Sequence, residues 1–178
     1  MDISIIIFLL GGLFLGWSLG ANDAANVFGT AVGTRMVRFK TAAIVCSIFV
    51  ILGAIISGAG TTETLGKLGA INALPGAFAA CVAAGISVYL MTKAGLPVST
   101  TQAIVGAIVG WNLYTGSATN IKVLITILGT WVLCPVIAGL IAMGFFTLTK
   151  NFILKRKIHI LRLDAYTRTA LLLAGAFG

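Results

Sequence analysis

GWSLGANDAANVFGT, residues 16–30, decides how the rest of the chain is read. It lies in a stretch from Ile3 to Thr34 that is otherwise free of charge, yet it holds Asp23 between Asn22 and Asn26. Asp23 is one of only four acidic residues in the 178-residue protein. The surrounding sequence is suited to lipid, where a carboxylate at the bilayer centre costs at least ~2.5 kcal/mol on insertion scales. Such a group should therefore face a partner or a wet cavity.

Composition supports the membrane reading. The chain is 59% hydrophobic and 9% charged, with a mean hydropathy of +1.10. Soluble domains carry about 25% charged residues. The net charge of +8 does not point to nucleic acid, because the lysines and arginines sit in short segments between apolar runs. That is the pattern that orients membrane proteins. Cys46, Cys81 and Cys134 each lie within an apolar run, with neither a disulfide framework nor metal-ligand spacing, and read as small core residues. The first positive charge is Arg35, so no basic leader precedes the first apolar run, which reads as a true membrane segment.

Charge-free runs mark the spans: Ile3 to Thr34, Thr41 to Thr62, Leu68 to Thr92, Ala94 to Ile121 and Val123 to Thr149. A helix needs about 20 residues to cross the hydrocarbon core. As one straight helix the first run would extend roughly 48 Å, against a core of about 30 Å. A break near Leu19-Gly20-Ala21 is expected there. The fourth run contains Gly95-Leu96-Pro97-Val98-Ser99, a start signal that leaves room for a shorter helix from Ser99 to Tyr114. The fold class is thus an all-α integral membrane protein with about five crossings and two discontinuous helices.

Arg35, Arg38 and Lys40 form one basic segment. Lys150, Lys155, Arg156, Lys157, Arg162 and Arg168 form another. Both are expected in the cytoplasm, which places the amino terminus outside. The second segment reads as a loop, with an interfacial helix or a phospholipid patch as the alternative. Three regions follow: a first transmembrane repeat over 1–149, a basic cytoplasmic loop over 150–168, and the start of a further helix, cut short, over 169–178. Glycines spaced by four (Gly12, Gly16 and Gly20; Gly29 and Gly33; Gly106 and Gly110) are positions where helices could approach closely.

Two constellations carry chemistry. Asn22 and Asn26 share one helix face, with Asp23 about 100° away. A carboxylate, amide oxygens and carbonyls freed by a broken helix would suit a hard cation such as sodium. Asp23 could instead relay a proton, or the polar residues could cap a helix resuming at Ala24. The second constellation is Pro97-Val98-Ser99-Thr100-Thr101-Gln102. Ser99 with Gln102 matches a capping box. Three consecutive hydroxyls exceed what a cap needs, and a helix amino terminus attracts anions. His159 reads as solvated in the basic segment. With no Cys/His cluster, no glycine-rich phosphate loop and no paired carboxylates, an enzyme is not expected.

GANDAANVFGTAVGTR (Gly20 to Arg35) and GLPVSTTQAIVGAIVG (Gly95 to Gly110) together resemble the inorganic phosphate transporter (PiT) family. The resemblance runs from end to end of this chain but covers the amino-terminal half of a typical member. It implies one half of an inverted-repeat transporter, with the substrate site between repeats. It implies that Ser99, Thr100 and Thr101, with Asp23, bind phosphate. It assigns the coupling cation to Asn22, Asp23, Asn26 and Gln102, with Asp23 and Asn26 as sodium ligands. Many members have histidine where Gln102 stands; glutamine cannot protonate, which favours sodium over protons.

The expected activity is symport of inorganic phosphate with sodium or protons across the plasma or inner membrane, with no other cofactor. Phosphate is preferred to sulfate if Asp23 touches the anion, because only phosphate has a proton to donate to a carboxylate at neutral pH. The expected partners are the bilayer and either a second repeat or a second copy of the chain in a homodimer, with no nucleic acid. The alternatives are transport of another oxyanion such as sulfate, a passive anion channel, or a non-transporting membrane subunit.

Overall fold

The structure, a computed structural model, describes residues 3–69, 74–155 and 159–177. All secondary structure among them is helical: α1 (Ile3–Gly33), α2 (Phe39–Leu68), α3 (Leu74–Lys93), α4 (Thr100–Thr115), α5 (Ile121–Lys155) and α6 (Ile160–Phe177). Among the described residues, α1, α2, α3 and α5 are long and apolar enough to cross a membrane. At 16 residues, α4 is about 24 Å long and falls short of a 30 Å core.

The first run departs from expectation. No break occurs at Leu19-Gly20-Ala21, and α1 is helical through all 31 of its residues. A long helix is accommodated in a bilayer by tilt or overhang. The polar groups at Asn22 and Asp23 find their partners on other helices, so the α1 backbone need not open. The second interruption is present, between α3 and α4.

Helix α1 runs parallel to α3. Phe8 meets Phe78 edge-on at 5.8 Å between ring centroids, and Trp17 meets Tyr89 at 5.7 Å. Higher up the pair, Thr92 reaches Asn22. The interface is tight because it is built on glycine. A Cβ at Gly11 would lie 2.7 Å from the Phe78 ring, and one at Gly85 would lie 2.7 Å from Phe14.

Helix α4 then returns antiparallel along α3, with Trp111 across from Gly76. Leu68, Ala80, Val105 and Ile108 form the buried core at that end. The α3–α4 hairpin therefore enters and leaves on one side. Its tip lies level with Asn22 and Asp23, and α1 continues ten residues further to Gly33, about 15 Å.

The glycine series read from the sequence do not form these contacts. A Cβ at Gly12, Gly16, Gly20, Gly29, Gly33, Gly106 or Gly110 would meet nothing within 4 Å. The face of α1 that α3 covers runs through Gly11, Ser18 and Asn22, all buried. The Gly12-Gly16-Gly20 stripe lies roughly 140° away from it around the helix. Gly20, Gly29 and Gly33 instead border an apolar cleft of about 770 Å³ between α1 and α2.

Both basic segments lie at the same end of the molecule. Arg168 donates through Nη1 to the Met36 carbonyl at 2.7 Å, which ties α6 to the α1–α2 turn. The expected loop over 150–168 is helical on both sides of its middle, because α5 extends to Lys155 and α6 begins at Ile160. Lysine and arginine are good helix formers and can extend their charges away from an apolar stem. Arg156 and Lys157 lie outside the described residues. His159 is exposed. Cys46 and Cys81 are half-buried, but Cys134 is exposed on α5 and is not a core residue.

Candidate functional site

The hairpin tip is fixed by its sequence. Helix α3 ends in a Schellman motif: Gly95 donates to the Thr92 carbonyl and Leu96 to the Met91 carbonyl, each at 3.0 Å. Gly95 has φ +72, which glycine adopts without the penalty of a Cβ. Pro97 cannot continue a helix and holds Leu96 in extended backbone. Ser99 is also extended and caps α4, its Oγ accepting from the Gln102 N–H at 3.3 Å. That is the forward half of the expected capping box. The hairpin's other end repeats the Schellman stop, at Gly116 with φ +67.

This tip meets the polar turn of α1. Asn22 is 3% exposed. Its Nδ2 donates to Asp23 Oδ1 at 2.9 Å and to the Val98 carbonyl at 2.7 Å. Its Oδ1 accepts from Thr92 Oγ1 at 3.3 Å. Asp23 is half-buried, and its Oδ2 accepts from Thr100 Oγ1 at 3.4 Å. The ion pairs among the described residues, Glu63 with Lys67 and Asp164 with Arg168, leave Asp23 out. A carboxylate at this depth with hydroxyl and amide partners, and with no cation beside it among the described residues, is suited to an ion from solution.

The sequence-selected residues are thus partly assembled. Asn22, Asp23 and Thr100 come together directly, and Ser99 is joined to them as the cap of α4. Asn26, Thr101 and Gln102 are exposed, Asn26 one turn above Asn22 and the other two on the first turn of α4. No carbonyl is freed in α1, but the α3–α4 turn supplies one, at Val98. Two participants were not singled out from the sequence. The Val98 carbonyl has no side-chain signature. Thr92 stands in the last turn of α3, and its hydroxyl next to the Gly95-Leu96-Pro97 stop is the one signal that could have marked it.

Residues 19–174 match the profile of the phosphate transporter family, which is most of the chain. The chain belongs to the phosphate transporter family. This is a family of transporters and not an enzyme class. A protein of Thermococcus kodakarensis described as "Putative phosphate permease" is 35% identical over 167 residues, spanning 88% of this chain and 41% of that protein. A "Sodium-dependent phosphate transporter" of Plasmodium falciparum is 34% identical over 156 residues, 81% of this chain and 23% of its own length.

Among solved structures, one described as "The sodium-dependent phosphate transporter" superposes with a TM-score of 0.77 at 26% identity. The match takes in 97% of this family member and 53% of that chain. The protein therefore spans about half the length of the solved structure and about two fifths of the Thermococcus relative. Family and apolar helices together make it a multi-pass membrane protein.

Proposed function

We propose that this protein carries inorganic phosphate across the plasma or inner membrane by symport with sodium, using Asp23 and the amino terminus of α4. One observation carries the reading: a half-buried carboxylate, with no cationic partner among the described residues, lies 3.4 Å from a hydroxyl on the first turn of α4. The carboxylate favours a cation, and the helix amino terminus with three successive hydroxyls favours an oxyanion. Bringing the two charges together offsets the cost of holding either one at membrane depth.

In this reading Ser99, Thr100 and Thr101 donate to phosphate, and Asp23 accepts from the phosphate hydroxyl. Asp23 also ligates sodium, with Asn26 and Gln102 close by on the two helices. Sodium is supported over protons by the descriptions of the similar proteins and by a Gln102 side chain that cannot titrate. Alternating access would move the hairpin tip against the helices that close the site from the opposite side. Those helices would come from a second repeat or a second copy in a homodimer. The basic segments would lie in the cytoplasm and the amino terminus outside.

Uptake of radiolabelled phosphate into proteoliposomes, measured with and without a sodium gradient, tests this. Asp23→Asn should lower sodium-driven uptake at least tenfold. Uptake by Asp23→Asn with wild-type sodium dependence would contradict the assignment, and competition by sulfate equal to that by unlabelled phosphate would remove the claim of phosphate selectivity.

A further inference from the structure

We infer that Thr92 and Asn22 are positioning residues, which lock the Asp23 carboxylate and the α3–α4 tip into one geometry and leave Asp23 Oδ2 as the oxygen presented to ligands. The inference rests on the proposed site and refines it, since it removes Asn22 from the set of cation ligands.

The hydrogen-bond inventory carries it. A primary amide has two N–H donors and one acceptor oxygen. Asn22 spends its donors on Asp23 Oδ1 and the Val98 carbonyl, and its oxygen receives the Thr92 hydroxyl. The amide oxygen keeps a second lone pair, but with the residue 3% exposed no open face leads an ion to it. Asn22 is therefore a strut with three ends: its own helix at Asp23, the last turn of α3 at Thr92, and the tip at Val98.

Thr92 has a particular part in this. An amide can rotate end for end, and the flipped form would aim its oxygen at Asp23 and at the Val98 carbonyl. The accepting oxygens of Asp23 and Val98 select the orientation in which the N–H donors face them. The Thr92 hydroxyl donates to the amide oxygen at the other end and holds the side chain there. The Val98 carbonyl lies directly before the Ser99 cap, so the same strut sets where α4 starts relative to the carboxylate. Asp23 Oδ1 is engaged by Asn22, whereas among the described residues Oδ2 has the 3.4 Å contact to Thr100 alone, which a ligand can displace.

Two variants separate hydrogen bonding from packing. Thr92→Val keeps the branched shape and removes the donor; Thr92→Ser keeps the donor and removes the methyl group. Phosphate uptake into proteoliposomes is measured against sodium concentration for both. Thr92→Val should raise the sodium concentration for half-maximal uptake about three- to tenfold, the loss of one hydrogen bond, while Thr92→Ser stays within about twofold of wild type. Equal behaviour of the two variants, or impairment of Thr92→Ser alone, would overturn the inference.

A second readout does not depend on transport. In a background with Cys46, Cys81 and Cys134 changed to alanine, Val98→Cys reports tip position through its rate of maleimide labelling. Addition of Thr92→Val should speed labelling several-fold, and Thr92→Ser should leave it unchanged. An unchanged rate with Thr92→Val would overturn the positioning role. A faster rate combined with uptake insensitive to Asp23→Asn would instead sustain the strut and refute the proposed function.

Discussion

Helices α1 and α5 are both long and apolar, yet they meet opposite surroundings. One side of α1 is closed by α3, with glycine against aromatic rings and Ser18 and Asn22 buried, and beyond the tip Phe28 and Ala31 are buried against α2 and α6. Helix α5 has no buried residue across its most apolar stretch, and Val132, Leu140, Phe145 and Phe146 are all more than half exposed. The polar cost follows the same division. Asn22 and Asp23 lie where α3 and α4 supply donors and acceptors, whereas the α5 hydroxyls Thr126, Thr130 and Thr147 bond back to carbonyls of their own helix. A polar side chain in lipid must be satisfied by its own helix or by a neighbour. Only the second arrangement ties separate elements together, and that is where the site lies.

The largest effect should come from breaking the strut. Asn22→Leu removes all three of its bonds and leaves Asp23 and the Val98 carbonyl short of donors. Each buried polar group so stranded costs about 1–3 kcal/mol. Thermal unfolding in detergent should show a clearly lowered midpoint, and sodium-driven uptake should be lost. A midpoint equal to wild type would mean that the tip is held by something other than Asn22.

Packing at the same interface should give a smaller loss. A side chain at Gly85 would enter the Phe14 ring, so Gly85→Leu should cost about 1–3 kcal/mol through overpacking. On α5, Phe145→Leu should stay within about 0.5 kcal/mol, because Phe145 is 67% exposed. The same detergent melts would show the contrast. Equal losses at the two positions would erase the distinction between the closed and open sides.

Much of this was legible in the sequence for physical reasons. Charge-free runs located the helices because lipid excludes charge, and Gly95-Leu96-Pro97 marked the α3–α4 tip because a left-handed glycine and a proline cannot continue a helix. Asp23, Thr100 and the Ser99 cap were found because carboxylates and hydroxyl rows are costly at that depth. The continuity of α1 was not legible, since it depends on partners that arrive 70 residues later in the chain. The same holds for Thr92 and the Val98 carbonyl, whose importance comes from the register of α3 on α1. The glycine stripes misled because spacing by four identifies a face without saying which face is covered.

The central claim is that Asp23 and the hydroxyl row form one site for sodium and phosphate together. Its most direct test is substrate protection. In the background lacking Cys46, Cys81 and Cys134, Thr101→Cys places a thiol at an exposed position on the first turn of α4. Phosphate should slow its modification by maleimide when sodium is present and have little effect when choline replaces sodium. Adding Asp23→Asn should abolish the protection. Protection of equal strength without sodium, or protection that survives Asp23→Asn, would contradict a shared site.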